Sequence, residues 1–189
     1  MITDVIEFDQ NHRYSVIRLD ESHMPEIKNM LKTRLAEICY GEGSIEMEPD
    51  EYTYHKACKH LWGQLIEGSK QRRYAIIAEI IMHLISPIML HFDVEPLSVA
   101  LALQDKNIKH GFDINFFDQL HKRIWYGEVK SGVNQKRSDL INRAHTDLKD
   151  YFENIESESN DTSYRWDAAK NEARVIFSAN TGKLKQILQ

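Results

Sequence analysis

Residues 111–132 read GFDINFFDQLHKRIWYGEVKSG. Two runs rich in aromatic and β-branched residues, 112–117 and 123–130, flank the short polar segment 118–122, which is the pattern of a β-hairpin. On the second run Glu128 and Lys130 stand two apart, so on a strand their side chains leave the same face. If the hairpin pairs residues whose numbers sum to about 241, Asp113 lies directly opposite Glu128, with Cβ atoms roughly 5 Å apart. A slip of one residue sets Asp113 against Gly127 and turns Glu128 to the other face, so convergence of the two carboxylates hangs on that register or on a bulge.

Two close carboxylates repel and raise one another's pKa unless a cation sits between them, which makes such a pair a natural site for Mg²⁺ or Mn²⁺. A hard divalent ion there lowers the pKa of a bound water and stabilises charge developing on a phosphate. Lys130, one step along the same face, is placed to hold the attacking water or to offset phosphate charge.

Upstream, residues 73–90 form a strongly apolar helix with a break or kink expected near Ser86 and Pro87. Residues 97–104 alternate Leu97, Val99, Leu101 and Leu103 with small residues and read as a strand buried on both faces. Downstream, residues 134–155 read as a long amphipathic helix with Leu140, Ala144, Leu148, Tyr151, Phe152 and Ile155 inward. A polar loop (156–163), a short helix (164–172) and a strand (174–178) follow. The order is helix, three strands, helix, strand, an α/β sandwich around a mixed sheet, with the last helix a right-handed crossover if its flanking strands are parallel.

Residues 1–70 contain a short strand at 14–19, an amphipathic helix at 24–38, punctuation at Gly41, Gly43 and Ser44, and a second helical stretch at 50–66 carrying Tyr54, Cys58, Leu61, Trp62 and Leu65 on one side. They read as an α-rich N-terminal extension, either padding the core or docking a partner, followed by a catalytic domain over 71–189. The length suits one domain. No apolar run reaches the roughly 20 residues of a membrane span, and the N-terminus lacks the basic start and apolar stretch of a signal peptide, so a cytoplasmic location is expected. Cys39 and Cys58 sit in no CxxC pair and read as reduced thiols. The net charge of −5 is unusual for a free-standing DNA binder, which implies either locally concentrated positive charge or another subunit that holds the nucleic acid.

The arrangement D-x14-E-x-K, after a helix bearing Glu79 and before a helix and a strand, resembles the PD-(D/E)xK restriction-endonuclease-like superfamily. The leading proline of that pattern is absent, since His110 and Gly111 precede Phe112. Within the superfamily, Gly-Phe-Asp followed by Trp-Tyr-Gly-Glu-x-Lys is similar to the nuclease subunit of Hachiman antiphage systems, HamA, and more loosely to Cap4-type effector nucleases. The resemblance implies an αβββαβ core flanked by helices and a Mg²⁺-dependent (or Mn²⁺-dependent) deoxyribonuclease acting as an antiphage effector. It also implies that Asp113, Glu128, the Val129 main-chain carbonyl and Glu79 hold the metal, and that Lys130 and a polar helper, Gln135, join Asp113, Glu128 and Glu79 in catalysis. The implied partners are DNA and a helicase; the low net charge and the N-terminal helices by themselves point more broadly to a DNA-engaging motor subunit, a helicase or SMC-like ATPase.

Other readings stand beside this one. Glu-x-Lys on a strand is commonly a solvated face, a helix-start glutamine is commonly ordinary, and Glu79 is equally the polar edge of a core helix. The same fold with an inert acidic cluster serves as a binding module, and the active site reads phosphate rather than sugar, which leaves an RNA nuclease open. His55, Cys58 and His60 lack the further ligands of a zinc site. Lys136, Arg137, Arg143 and Lys149 suit either a phosphate track or helix solubility, and Trp125 and Tyr126 read as packing residues. No P-loop, GxGxxG or GxSxG supports an ATPase, dinucleotide-binding or serine-hydrolase reading.

Overall fold

In the computed structural model of the protein, residues 5–9, 14–90, 94–100, 112–118 and 120–153 are described. A short antiparallel pair, β1 (Val5–Asp9) and β2 (Tyr14–Ile17), precedes a helical layer. Helix α1 (Met24–Tyr40) follows a 3₁₀ turn capped by Asp20, whose carboxylate accepts the Ser22 N–H at 2.9 Å. It ends at Gly41, where φ is 80° and the N–H donates to the Glu37 carbonyl at 2.7 Å. A short α2 (Glu42–Met47) and α3 (Tyr54–Glu67) follow, the latter capped by Thr53. Helix α4 spans Lys70–Leu90. Arg73 turns back to donate to the carbonyls of Gly68 at 3.0 Å and Ile66 at 3.1 Å, satisfying groups that the end of α3 leaves unpaired.

One apolar core joins these helices. Ile27, Leu35, Ile38 and Cys39 of α1, Ala57 of α3, and Ile76, Ile80 and Leu84 of α4 are all buried in it together with Ala100. The helices of the N-terminal region therefore share a core with the long helix that precedes the sheet.

The second layer is a three-stranded antiparallel sheet in the order β3-β4-β5: β3 (Val94–Pro96), β4 (Ile114–Asp118) and β5 (Arg123–Gly127). Every residue of the central strand β4 is buried. Helix α4 meets one face, where the His83 and Phe116 rings lie 6.0 Å apart. Helix α5 (Arg137–Glu153) packs its C-terminal end beside β5, with Phe112 against Tyr151 at 5.7 Å and Tyr126 against Phe152 at 6.3 Å. The α/β class with a helical N-terminal region is as expected from the sequence.

Several local expectations are corrected. The alternation after Pro96 marks burial, not a strand: Leu97, Ser98 and Ala100 are buried, but extended pairing stops at Pro96. The Ser98 hydroxyl replaces a main-chain acceptor by accepting the Asn115 N–H at 2.8 Å, and Ala100 donates to the Ile38 carbonyl at 2.8 Å, so the chain leaves the sheet for α1. Residues 101–104 lie outside the described residues. Helix α4 begins at Lys70 and is continuous through Pro87 to Leu90, so of the expected break or kink the break does not occur, since a proline this close to the end removes only one late hydrogen bond. The glycine-punctuated stretch holds α2, with Gly43 and Ser44 buried. On α3, Trp62 and Tyr54 are exposed, while Cys58, Leu61 and Leu65 pack inward. Helix α5 buries none of its residues fully, and Phe152 is exposed. The segments 156–163, 164–172 and 174–178, and with them the crossover, lie outside the described residues, as does Ile155.

Candidate active site

The hairpin turn sets the geometry. Asp118, buried at the end of β4, accepts the His121 N–H at 3.0 Å through Oδ1 and pairs with His121 Nδ1 at 2.7 Å through Oδ2. Burial alone would raise the Asp118 carboxyl, but these bonds from His121 outweigh it and hold it below the usual range. Lys122 adopts a left-handed φ of 53°, and the strands then leave the turn with Asp118 opposite Arg123. Pairing continues through Phe117–Ile124, Phe116–Trp125, Asn115–Tyr126 and Ile114–Gly127. This is the register that brings Asp113 and Glu128 opposite one another, one step beyond the last pair.

Strand β5 stops at Gly127, so Glu128 and Lys130 lie just past its end rather than on it. What holds this extension is Asp113, whose Oδ2 accepts the Val129 N–H at 2.7 Å. Gly127 is needed where it stands: a Cβ there would collide with Ile114 Cγ1 and lie 2.7 Å from its Cδ1.

The side chains of Glu128 and Lys130 form an ion pair, and Lys130 Nζ makes a second one at 2.6 Å to Asp147 Oδ2 of α5. The Glu128 side chain is only 6% exposed, that of Lys130 18% and that of Asp147 39%. Burial pushes the Glu128 carboxyl up, the Lys130 bond opposes this, and the negative charges of Asp113 and Asp147 add to the rise. Burial would lower the Lys130 ammonium, yet its bonds to Asp147 and Glu128 hold it above the ordinary lysine value. The centre is thus two hairpin carboxylates, one lysine and a third carboxylate from the facing helix.

Of the five residues singled out in the sequence, Asp113, Glu128 and Lys130 are brought together. Glu79 is buried in α4, where its charge acts on the buried Cys39 thiol, itself pushed up to about 12 chiefly by burial. Gln135 packs its amide over Gly132, where a Cβ would lie 2.7 Å from Gln135 Cδ, and accepts from Arg143 at 3.2 Å. Among the described residues no three His, Cys, Asp or Glu side chains are gathered as a metal-holding group. Two carboxylates and the Val129 carbonyl nevertheless fit Mg²⁺ or Mn²⁺ by donor chemistry. These are hard oxygen donors, Mg²⁺ keeps several waters of its own, and a buried glutamate pushed upward beside another acid is relieved by a cation.

Two residues were missed in the sequence: Asp147, which belongs to this centre, and Asp118, which closes the hairpin turn at the far end of β4. The signal for Asp147 was an acid lying within the apolar stripe of Leu140, Ala144, Leu148 and Tyr151, which it joins on the half-buried side of α5. For Asp118 it was a strand-end aspartate three residues before a histidine. Lys136, Arg137, Arg143 and Lys149 are all exposed, and His60 bonds Gln64 at 2.8 Å. Trp125 is partly exposed, while Tyr126 packs against Phe112 at 4.5 Å.

Compared with known families, residues 2–189 match the family model described as HamA. No curated protein and no solved structure matches the chain.

Proposed function

Since the chain belongs to the HamA family, a component of Hachiman antiphage defence, we propose that it is the nuclease of that system, hydrolysing DNA phosphodiester bonds with Mg²⁺ or Mn²⁺. The observation that carries this reading is the hairpin register, which sets Asp113 and Glu128 opposite each other with Lys130 ion-paired at the same point. Asp113, Glu128 and the Val129 carbonyl would hold the cation, whose chemistry when bound is to acidify water and stabilise phosphate charge.

The chain's own residues supply the rest. Asp113 keeps the Glu128–Lys130 segment in place through its bond from the Val129 N–H. Lys130, held in its charged form, donates to the incoming water or to a non-bridging phosphate oxygen and offsets charge as it develops. Burial of Glu128 keeps bulk water away from its carboxylate and strengthens every interaction within the centre.

The partner is proposed on the same footing. A chain at −5 has weak long-range attraction for DNA, so a DNA-engaging motor, a helicase or SMC-like ATPase, is expected to present the substrate. The test is to incubate the chain, alone and with the subunit encoded beside it, with matched DNA and RNA in Mg²⁺, Mn²⁺ or EDTA. DNA cleavage that needs metal and is lost in Glu128→Ala and Lys130→Ala is the expected result. Absence of cleavage in every combination, or full activity in properly folded Glu128→Ala, overturns the proposal, and cleavage confined to RNA reassigns the substrate.

A further inference from the structure

Asp147 is the one member of this centre that the hairpin does not supply. It comes from α5, seventeen residues after Lys130, and its Oδ2 lies 2.6 Å from Lys130 Nζ. It shares the half-buried side of that helix with Leu140, Ala144, Leu148 and Tyr151, a stripe on which an acid has no packing value. The Lys130 side chain is 18% exposed, Glu128 6% and Asp147 39%, so most of the lysine is covered and its two acceptors stand on separate elements.

An ammonium carries three N–H donors and no acceptor, on a stem whose four carbons otherwise turn freely. Glu128 engages one donor from the hairpin and Asp147 a second from the helix. With two of three donors tied to different elements, the head group cannot rotate or swing without breaking a bond, and the third N–H keeps one direction. An isolated surface pair contributes little and leaves the lysine mobile. Here the lysine is mostly covered and doubly tied, which is the arrangement that orients a group rather than one that merely solubilises a helix.

We propose that Asp147 is a positioning residue: by holding Lys130 against the Asp113–Glu128 hairpin it fixes the direction in which the ammonium meets the phosphate or its attacking water. The catalytic part of this statement rests on the phosphodiesterase reading above, whereas the coupling of Asp147 to Lys130 does not.

The test has two arms on the full chain. In the first, the metal-free parent, Asp147→Ala, Lys130→Ala and the double variant are melted in EDTA. Coupling predicts that the double variant loses less than the sum of the single losses, and strict additivity overturns the proposal. In the second, cleavage kinetics are measured in whichever preparation cuts, the chain alone or with its partner subunit. Asp147→Ala is expected to lower kcat by about 10- to 100-fold, with KM for DNA moved by no more than about twofold and part of the rate recovered in Asp147→Asn, which keeps an acceptor. Parental kcat in Asp147→Ala, or a change confined to KM, overturns the positioning role. If no preparation cuts, the nuclease reading falls while the melting cycle still decides whether Asp147 holds Lys130.

Discussion

Glu128 is nearly enclosed and faces two carboxylates and one ammonium, and the balance of these charges gives it a testable thermodynamic signature. Its carboxyl is raised above the ordinary glutamate value of 4.5, by burial first and then by Asp113 and Asp147, even with Lys130 opposing. A raised carboxyl binds its proton more tightly in the folded than in the unfolded chain. The stability it contributes is therefore complete below 4.5 and is lost as pH rises through the folded value. In metal-free protein, Glu128→Gln should melt higher than the parent at neutral pH, with the gap closing as pH falls toward 4.5, and melts across that range in EDTA read it directly. A variant that melts lower at neutral pH contradicts this account. Asp113 behaves differently because its carboxylate also accepts the Val129 N–H. Asp113→Ala should cost about 1–3 kcal/mol by leaving that half-buried donor unpaired. Asp113→Asn keeps an acceptor and should retain most of the stability, yet lose affinity for Mn²⁺ in calorimetric titration because a neutral ligand replaces an anionic one.

At the scale of elements, the hairpin is the part most sensitive to small changes, because a slip of one residue would turn Glu128 away from Asp113. Two devices hold it. Asp118 closes the turn on His121, and Gly127 lets β5 lie against the Ile114 side chain. Gly127→Ala is expected to destabilise by about 1–3 kcal/mol, since Ile114 is only 7% exposed and has little room to yield. Its cleavage should fall more than its stability explains, because the displaced residue is bonded to Glu128; urea melts and initial rates on the same preparation separate the two effects. Unchanged melting would mean that Ile114 moves aside freely. The hairpin itself was legible from its aromatic and β-branched runs and its polar turn, but its strand ends were not. Pairing stops at Gly127 because Asp113 takes the Val129 N–H with its side chain, a competition between side chain and main chain that no alternation pattern records.

For the whole molecule, the helical layer and the hairpin are joined through α4 and the Ala100–Ile38 bond, so α1 and α3 brace the element that carries the sheet. They also leave Trp62 64% and Ile66 58% exposed on α3. Trp62→Ser should change stability by no more than about 0.5 kcal/mol and leave intrinsic cleavage unchanged, while weakening association with the proposed motor subunit. Melting curves and co-purification distinguish these outcomes, and undiminished binding removes Trp62 from the interface. No helix among the described residues is long and apolar enough to cross a membrane. Spacing along the chain was enough to determine the α/β class, the hairpin and the shared face of Glu128 and Lys130, because strand and helix periods are local properties that residue order carries directly, while the register that sets Asp113 opposite Glu128 came from the structure. Tertiary structure alone decided that Glu79 is buried, that Gln135 packs over Gly132 to meet Arg143, and that Asp147 closes on Lys130. The burial of Glu79 and the closure of Asp147 on Lys130 depend on which face a helix presents to a distant segment, and that orientation is set by the burial of whole apolar stripes rather than by the neighbours of any one residue.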